Sequence, residues 1–146
     1  HHLQLLVVCG ANNQLRQRLQ RLGETASLPV CALGFTEAMH ELMQASDLLI
    51  TKPGGLTVME ALAVGLPMVF CGTIPGQELG NADYIVRHGA GLKADQPDRC
   101  VVTVLQLLEH PVQLQAMRSR ALALSRPDAA SQIVETCLMA DAHAAR

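Results

Sequence analysis

The stretch DLLITKPGGLTVMEALAVGLPMVFC, Asp47 to Cys71, decides how this chain folds. Asp47 to Ile50 is a short, mostly apolar run, and Met68 to Cys71 is another; both read as strands. Between them Thr51 to Gly55 carries a proline and two glycines, the composition of a loop. Thr57 to Val64 follows as a short helix, closed by Gly65 and Pro67. A continuous apolar strand, a helix and a second such strand form the unit of a parallel sheet, whose strands are covered on both faces.

The same alternation extends in both directions. Upstream, Leu3 to Val8 is an apolar run bounded by Cys9-Gly10, and Leu15, Leu19 and Leu22 mark a helix with Gly23 as its stop signal. Val30 to Leu33 reads as another strand. Thr36 then stands as an N-cap before the stripe Met39, Leu42 and Met43. Downstream, a long loop from Gly72 to Gly80 leads to a helix over Asn81 to Arg87, and an edge strand falls near Leu92 to Ala94. Helical patterns near Asp98 to Leu108, Pro111 to Leu124 and Asp128 to His143 close the chain. The expected class is α/β: a Rossmann-like parallel sheet with helices on both faces, residues 3–146 forming a single domain. His1 and His2 read as a tag remnant ahead of it.

Composition narrows the function. With 146 residues, 11 Lys+Arg against 13 Asp+Glu and 2% aromatic residues, there is neither the basic face nor the stacking platform of a nucleic-acid binder. A hydrophobic fraction of 49% excludes disorder as the main state. The longest uncharged stretch, Ala61 to Gln77, is interrupted by Pro67, Pro75 and glycines, so it reads as no transmembrane helix. Five cysteines without a C-x-x-C pair argue against a disulfide framework or a zinc ribbon and fit a reducing cytoplasm. The histidines form no ligand cluster, and no G-x-S-x-G elbow marks a nucleophile.

In a parallel sheet, ligands bind beyond the carboxyl ends of the strands, which directs attention to Cys9–Asn13, Gly34–Thr36, Thr51–Thr57 and Gly72–Asn81. Gly54 and Gly55 precede a helix whose unpaired N–H groups and positive dipole end suit a phosphate, with Lys52 as a counter-charge. Glu60 lies on the same face as Thr57. Thr57-x-x-Glu60 fits a capping box, in which Glu60 reaches back to the backbone; it fits equally a carboxylate accepting from the two hydroxyls of a ribose. Gln77, Glu78 and Asn81 supply directional groups for sugar hydroxyls, or form a solvated loop with Asn81 as a helix cap. No P-loop is present, and CGANN lacks the dinucleotide fingerprint.

The residues LGFTEAMHELMQASDLLITKPGGLTVMEALAVGLPMVF, followed by IPGQELGNA, resemble the C-terminal domain of glycosyltransferase family 28. The likeness runs from about Leu5 to Leu92, and TKPGGLT with IPGQE is closest to the diacylglycerol glycosyltransferase branch. It implies the C-terminal half of a GT-B fold, binding the UDP-sugar donor, with acceptor and general base belonging to a separate N-terminal domain. Carried over by position, Phe35 and Thr36 would flank the uracil, and Gly55, Leu56 and Thr57 would hold the pyrophosphate, with Lys52 and Gly54 beside them in the donor-binding set. Glu60 would hold the ribose, Gln77 and Glu78 the hexose, with Asn81 next to them in the donor-binding set, and Asn12 would approach the phosphates. The resemblance further implies inversion without a metal, no cofactor, a lipid acceptor reached at the cytoplasmic membrane surface, and no catalytic residue in this stretch. Alternatives are the peptidoglycan N-acetylglucosaminyltransferase branch, a UDP-sugar epimerase and a non-catalytic nucleotide-binding module.

Overall fold

The computed structural model describes residues 3–72 and 76–144. The chain packs as two compact units, one ending at Met39 and the other beginning at His40. In the first, β1 (Leu5–Val8) and β2 (Val30–Leu33) pair in parallel, Leu5 opposite Val30 and Val8 opposite Leu33. The helix α1 (Asn13–Thr25) joins them. The stop expected at Gly23 is corrected, since the helix continues to Thr25. Gly23 serves a different need: a Cβ there would sit 3.3 Å from both the Cβ and the carbonyl oxygen of Val30, so the missing side chain lets α1 lie close against β2.

The second unit opens with α2 (Met39–Gln44), whose first residue falls on the boundary, and continues through β3 (Leu49–Thr51), α3 (Gly55–Ala63), β4 (Met68–Phe70) and α4 (Gln77–Arg87). It ends with β5 (Gly91–Lys93), α5 (Pro97–Glu109), α6 (Pro111–Leu124) and α7 (Ala129–Ala144). The strands are parallel in the order β3-β4-β5. The central strand β4 is fully buried, which explains its unbroken Met-Val-Phe sequence. Gly65, at φ +68°, closes α3: Leu66 N–H bonds the Ala61 carbonyl and Gly65 N–H the Leu62 carbonyl, satisfying the helix's last acceptors. Val69, Ala94, Cys100, Leu107 and Met117 form a core cluster between this sheet and helices α5 and α6. Parallel strands alternating with helices make the class α/β and Rossmann-like, as the periodicity requires.

Cys71, just after β4, is disulfide-bonded to Cys100 in α5, with Cα atoms 6.5 Å apart. The expectation of no disulfide is thereby corrected. The two cysteines are 29 residues apart, and only the packing of α5 on β4 brings them together. Cys9, Cys31 and Cys137 are free thiols. On the far side of α4, Lys93 hydrogen-bonds Asp83, and this bond together with the lysine's charge holds the Asp83 carboxyl below the usual carboxylate range.

Candidate functional site

The segment Lys52-Pro-Gly54 turns the chain from β3 into α3, and its geometry follows from its composition. Pro53 is fully buried and has no N–H to satisfy. Gly54 N–H bonds the Lys52 carbonyl at 2.8 Å, and Gly54 then serves as N-cap in an extended conformation, φ −66° and ψ 138°. A glycine cap brings no side-chain acceptor, and no acidic residue occupies the first turn. The helix's own ladder begins only with Val58 N–H donating to the Gly54 carbonyl. The N–H groups of Gly55, Leu56 and Thr57 thus have no acceptor among the described residues, and they stand at the positive end of the helix dipole. Leu56 is 84% exposed, so this end is open.

This start removes one of the two roles left open for Glu60. A capping box needs Thr57 as the N-cap, whereas Thr57 lies inside α3 behind the Gly54 cap. The capping-box expectation is therefore corrected. Glu60 is exposed on α3, and no described residue engages its carboxylate.

The neighbouring α4 begins four residues earlier than its sequence suggests, at Gln77 behind Gly76. Asn81 is consequently not a helix cap but an interior residue, and its Nδ2 donates to the Pro53 carbonyl at 3.0 Å across 28 residues. Glu78, one turn before Asn81, accepts from Lys52 Nζ at 2.9 Å. Lys52 and Glu78, expected as a phosphate counter-charge and a sugar ligand, are thus brought together as an ion pair. The lysine side chain is 60% exposed and the glutamate 18%. Of the polar loop before α4, Thr73, Ile74, Pro75 and the Gln77 side chain lie outside the described residues.

The first unit carries the remaining candidates. Asn12 caps its own helix, its Oδ1 accepting from Leu15 N–H at 3.0 Å. Thr36 Oγ1 likewise accepts locally, from Ala38 N–H at 3.1 Å, while Phe35 is 80% exposed. Sequence reasoning missed Arg16. Its guanidinium lies 2.9 Å from where a Gly34 Cβ would stand, and its Nε is buried with no partner among the described residues. The available signal was an arginine in the first turn of a helix with no acidic residue to pair it. No group of three His, Cys, Asp or Glu side chains among the described residues is placed to hold a metal ion.

Two solved structures share this fold. MurG of Acinetobacter baumannii superposes with a TM-score of 0.71 at 21% identity, over 92% of this chain and 51% of that one. The glycotransferase of kitacinnamycin gives 0.63 at 22% identity, over 91% of this chain and 34% of that one. The fold is therefore that of one half of a GT-B glycosyltransferase. The family model for the glycosyltransferase family 28 C-terminal domain matches residues 1–133, and the chain belongs to that family. Among curated relatives, the processive diacylglycerol beta-glucosyltransferase of Bacillus pumilus (strain SAFR-032) is 35% identical over 133 residues, 91% of this chain and 35% of its own length. The Staphylococcus saprophyticus protein of the same name is 39% identical over 125 residues, 86% of this chain and 32% of its own. The chain spans about a third of the length of these relatives.

Proposed function

We propose that this chain is the UDP-sugar donor-binding part of a hexosyltransferase that inverts the anomeric carbon without a metal ion and glycosylates a lipid such as diacylglycerol. The observation that supports the reading is the N-terminus of α3, whose first N–H groups have no acceptor among the described residues and suit an anion. The names of the relatives support the lipid acceptor, and family membership supports the nucleotide sugar.

In this reading an acceptor hydroxyl attacks the anomeric carbon from the face opposite the leaving group. The new C–O bond forms as the bond to the β-phosphate oxygen breaks, and the electron pair leaves with UDP. The hydroxyl proton passes to a base outside this chain. Developing charge on the diphosphate is met by the N–H groups of Gly55, Leu56 and Thr57 and by the α3 dipole, the work that a cation does elsewhere. Glu60 accepts from the ribose hydroxyls. Gln77 and Glu78 take the hexose, Glu78 while leaning on Lys52. The uracil assignment to Phe35 and Thr36 rests on the family resemblance. The partners are the UDP-sugar, an N-terminal acceptor domain and a lipid presented at the cytoplasmic face of a membrane. Peripheral attachment is part of the proposal; among the described residues, no helix is long and apolar enough to cross a bilayer.

Titration calorimetry of this chain tests the reading. UDP should bind equally well with and without EDTA, and ADP more weakly. Binding that needs Mg²⁺, or equal affinity for ADP, would contradict it.

A further inference from the structure

An asparagine inside a helix is intrinsically unfavourable, because its amide competes for backbone groups. Asn81 lies in α4 partly buried, and its side chain has a definite use, the 3.0 Å bond from Nδ2 to the Pro53 carbonyl. That carbonyl belongs to the peptide joining Pro53 to the N-cap Gly54. In a trans peptide the C=O and N–H point in opposite directions within one plane. A hand on the Pro53 carbonyl therefore sets the Gly54 N–H, which bonds the Lys52 carbonyl, and with it the entry angle of α3. The Lys52–Glu78 pair ties the preceding residue to the same face of α4, since 78 and 81 are one turn apart. The Asn81 Nδ2 also lies 3.8 Å from where a Gly55 Cβ would stand, an ordinary contact beside the first N–H of the cradle.

We infer that Asn81 is a positioning residue for the diphosphate rather than a hexose ligand: through the Pro53 carbonyl it aims the free N–H groups of Gly55, Leu56 and Thr57. The inference rests on the donor reading above and adds to it. Its consequence is selective. Removing the amide disturbs the phosphate cradle while leaving contacts to the base and to the hexose intact.

The experiment titrates wild type, Asn81→Ala and Asn81→Leu with uridine, UDP and UDP-glucose. The leucine keeps the γ-branched shape and heavy-atom count of asparagine without its donor, so a cavity in the alanine variant is separated from loss of the bond. Both variants should lose about five- to tenfold in affinity for UDP, the scale of one neutral hydrogen bond. UDP-glucose should lose the same factor, and uridine, which has no phosphate, should bind as to wild type. Unchanged uridine binding also shows that the variants are folded. A loss confined to UDP-glucose would make Asn81 a hexose ligand and overturn the inference. An equal loss for uridine and UDP, or no loss for UDP, would overturn it as well. Absence of UDP binding by the wild type would overturn the donor reading itself, and this role with it.

Discussion

The helices α1 and α3 both follow a parallel strand, yet their first turns are finished in opposite ways. In α1 the side chain of Asn12 accepts from Leu15 N–H, so the helix satisfies its own start. In α3 the cap is Gly54, which supplies no side-chain acceptor, and the donors of Gly55, Leu56 and Thr57 find no acceptor among the described residues. A helix end capped by a side chain gains stability from it; one capped by glycine forgoes roughly a few tenths of a kcal/mol and leaves N–H groups that suit an anion. In the donor reading proposed above, the polar residue after β1 serves its own helix, and the glycines after β3 serve the diphosphate. The two units differ covalently too, since the disulfide lies in the second while Cys9 and Cys31 in the first remain thiols.

The largest effect expected from this contrast concerns the disulfide. It closes a separation of 29 residues beside the end of β4, and chain-entropy reasoning gives about 3–4 kcal/mol for a loop of that size. Denaturant melts of wild type with and without reductant, and of Cys71→Ala, should show that loss in the second unit and none in the first. Coincident midpoints with and without reductant would remove the covalent part of the comparison.

Next in size is Glu60→Gln. With the capping box gone, the helix has no need of a carboxylate there, and the melting temperature should stay unchanged. A carboxylate accepts from two ribose hydroxyls through two oxygens, whereas an amide has one acceptor oxygen, so UDP affinity should fall about tenfold. The fall should shrink for 2′-deoxy-UDP, from which one hydroxyl is already missing. A lowered melting temperature with intact UDP affinity would restore a structural role for Glu60.

The smallest effect belongs to Asn12→Ala. Loss of the α1 cap should cost about 1 kcal/mol of stability, read from a denaturant melt, with UDP affinity unchanged within twofold. A tenfold loss of UDP affinity would return Asn12 to the phosphates and erase the distinction between the two helix ends.

Periodicity made much of the fold legible. Val30–Leu33 and Pro111–Leu124 have the boundaries expected of them, the latter because Pro111 is fixed at a helix start. Glycine misled in three places, each for its own reason. Gly23 reads as a stop but provides clearance against Val30. Gly54 and Gly55 read as loop, yet one caps α3 and the other begins it. Gly80 likewise reads as loop, yet lies within α4, which Gly76 caps. The candidates around α3 and α4 were visible as two short segments, Lys52–Glu60 and Gln77–Asn81. Their pairing was not: Lys52 with Glu78 and Pro53 with Asn81 are separated by 26 and 28 residues, and only the adjacent placement of α3 and α4 makes them partners. Arg16 against Gly34 escaped for the same reason.

The open end of α3 is tested most directly by removing one of its donors without disturbing the helix. Gly55→Pro does so: proline suits the first helical position, and Gly54 already has the extended φ and ψ that a residue before proline favours. A Cβ at residue 55 would find its nearest described atom, Asn81 Nδ2, 3.8 Å away. A UDP titration of the variant, with its melting curve alongside, should show affinity lowered on the order of tenfold or more, as expected for losing a hydrogen bond to a charged group, at an unchanged or raised melting temperature. UDP binding equal to wild type in a folded Gly55→Pro protein would contradict the assignment of the diphosphate to this helix end.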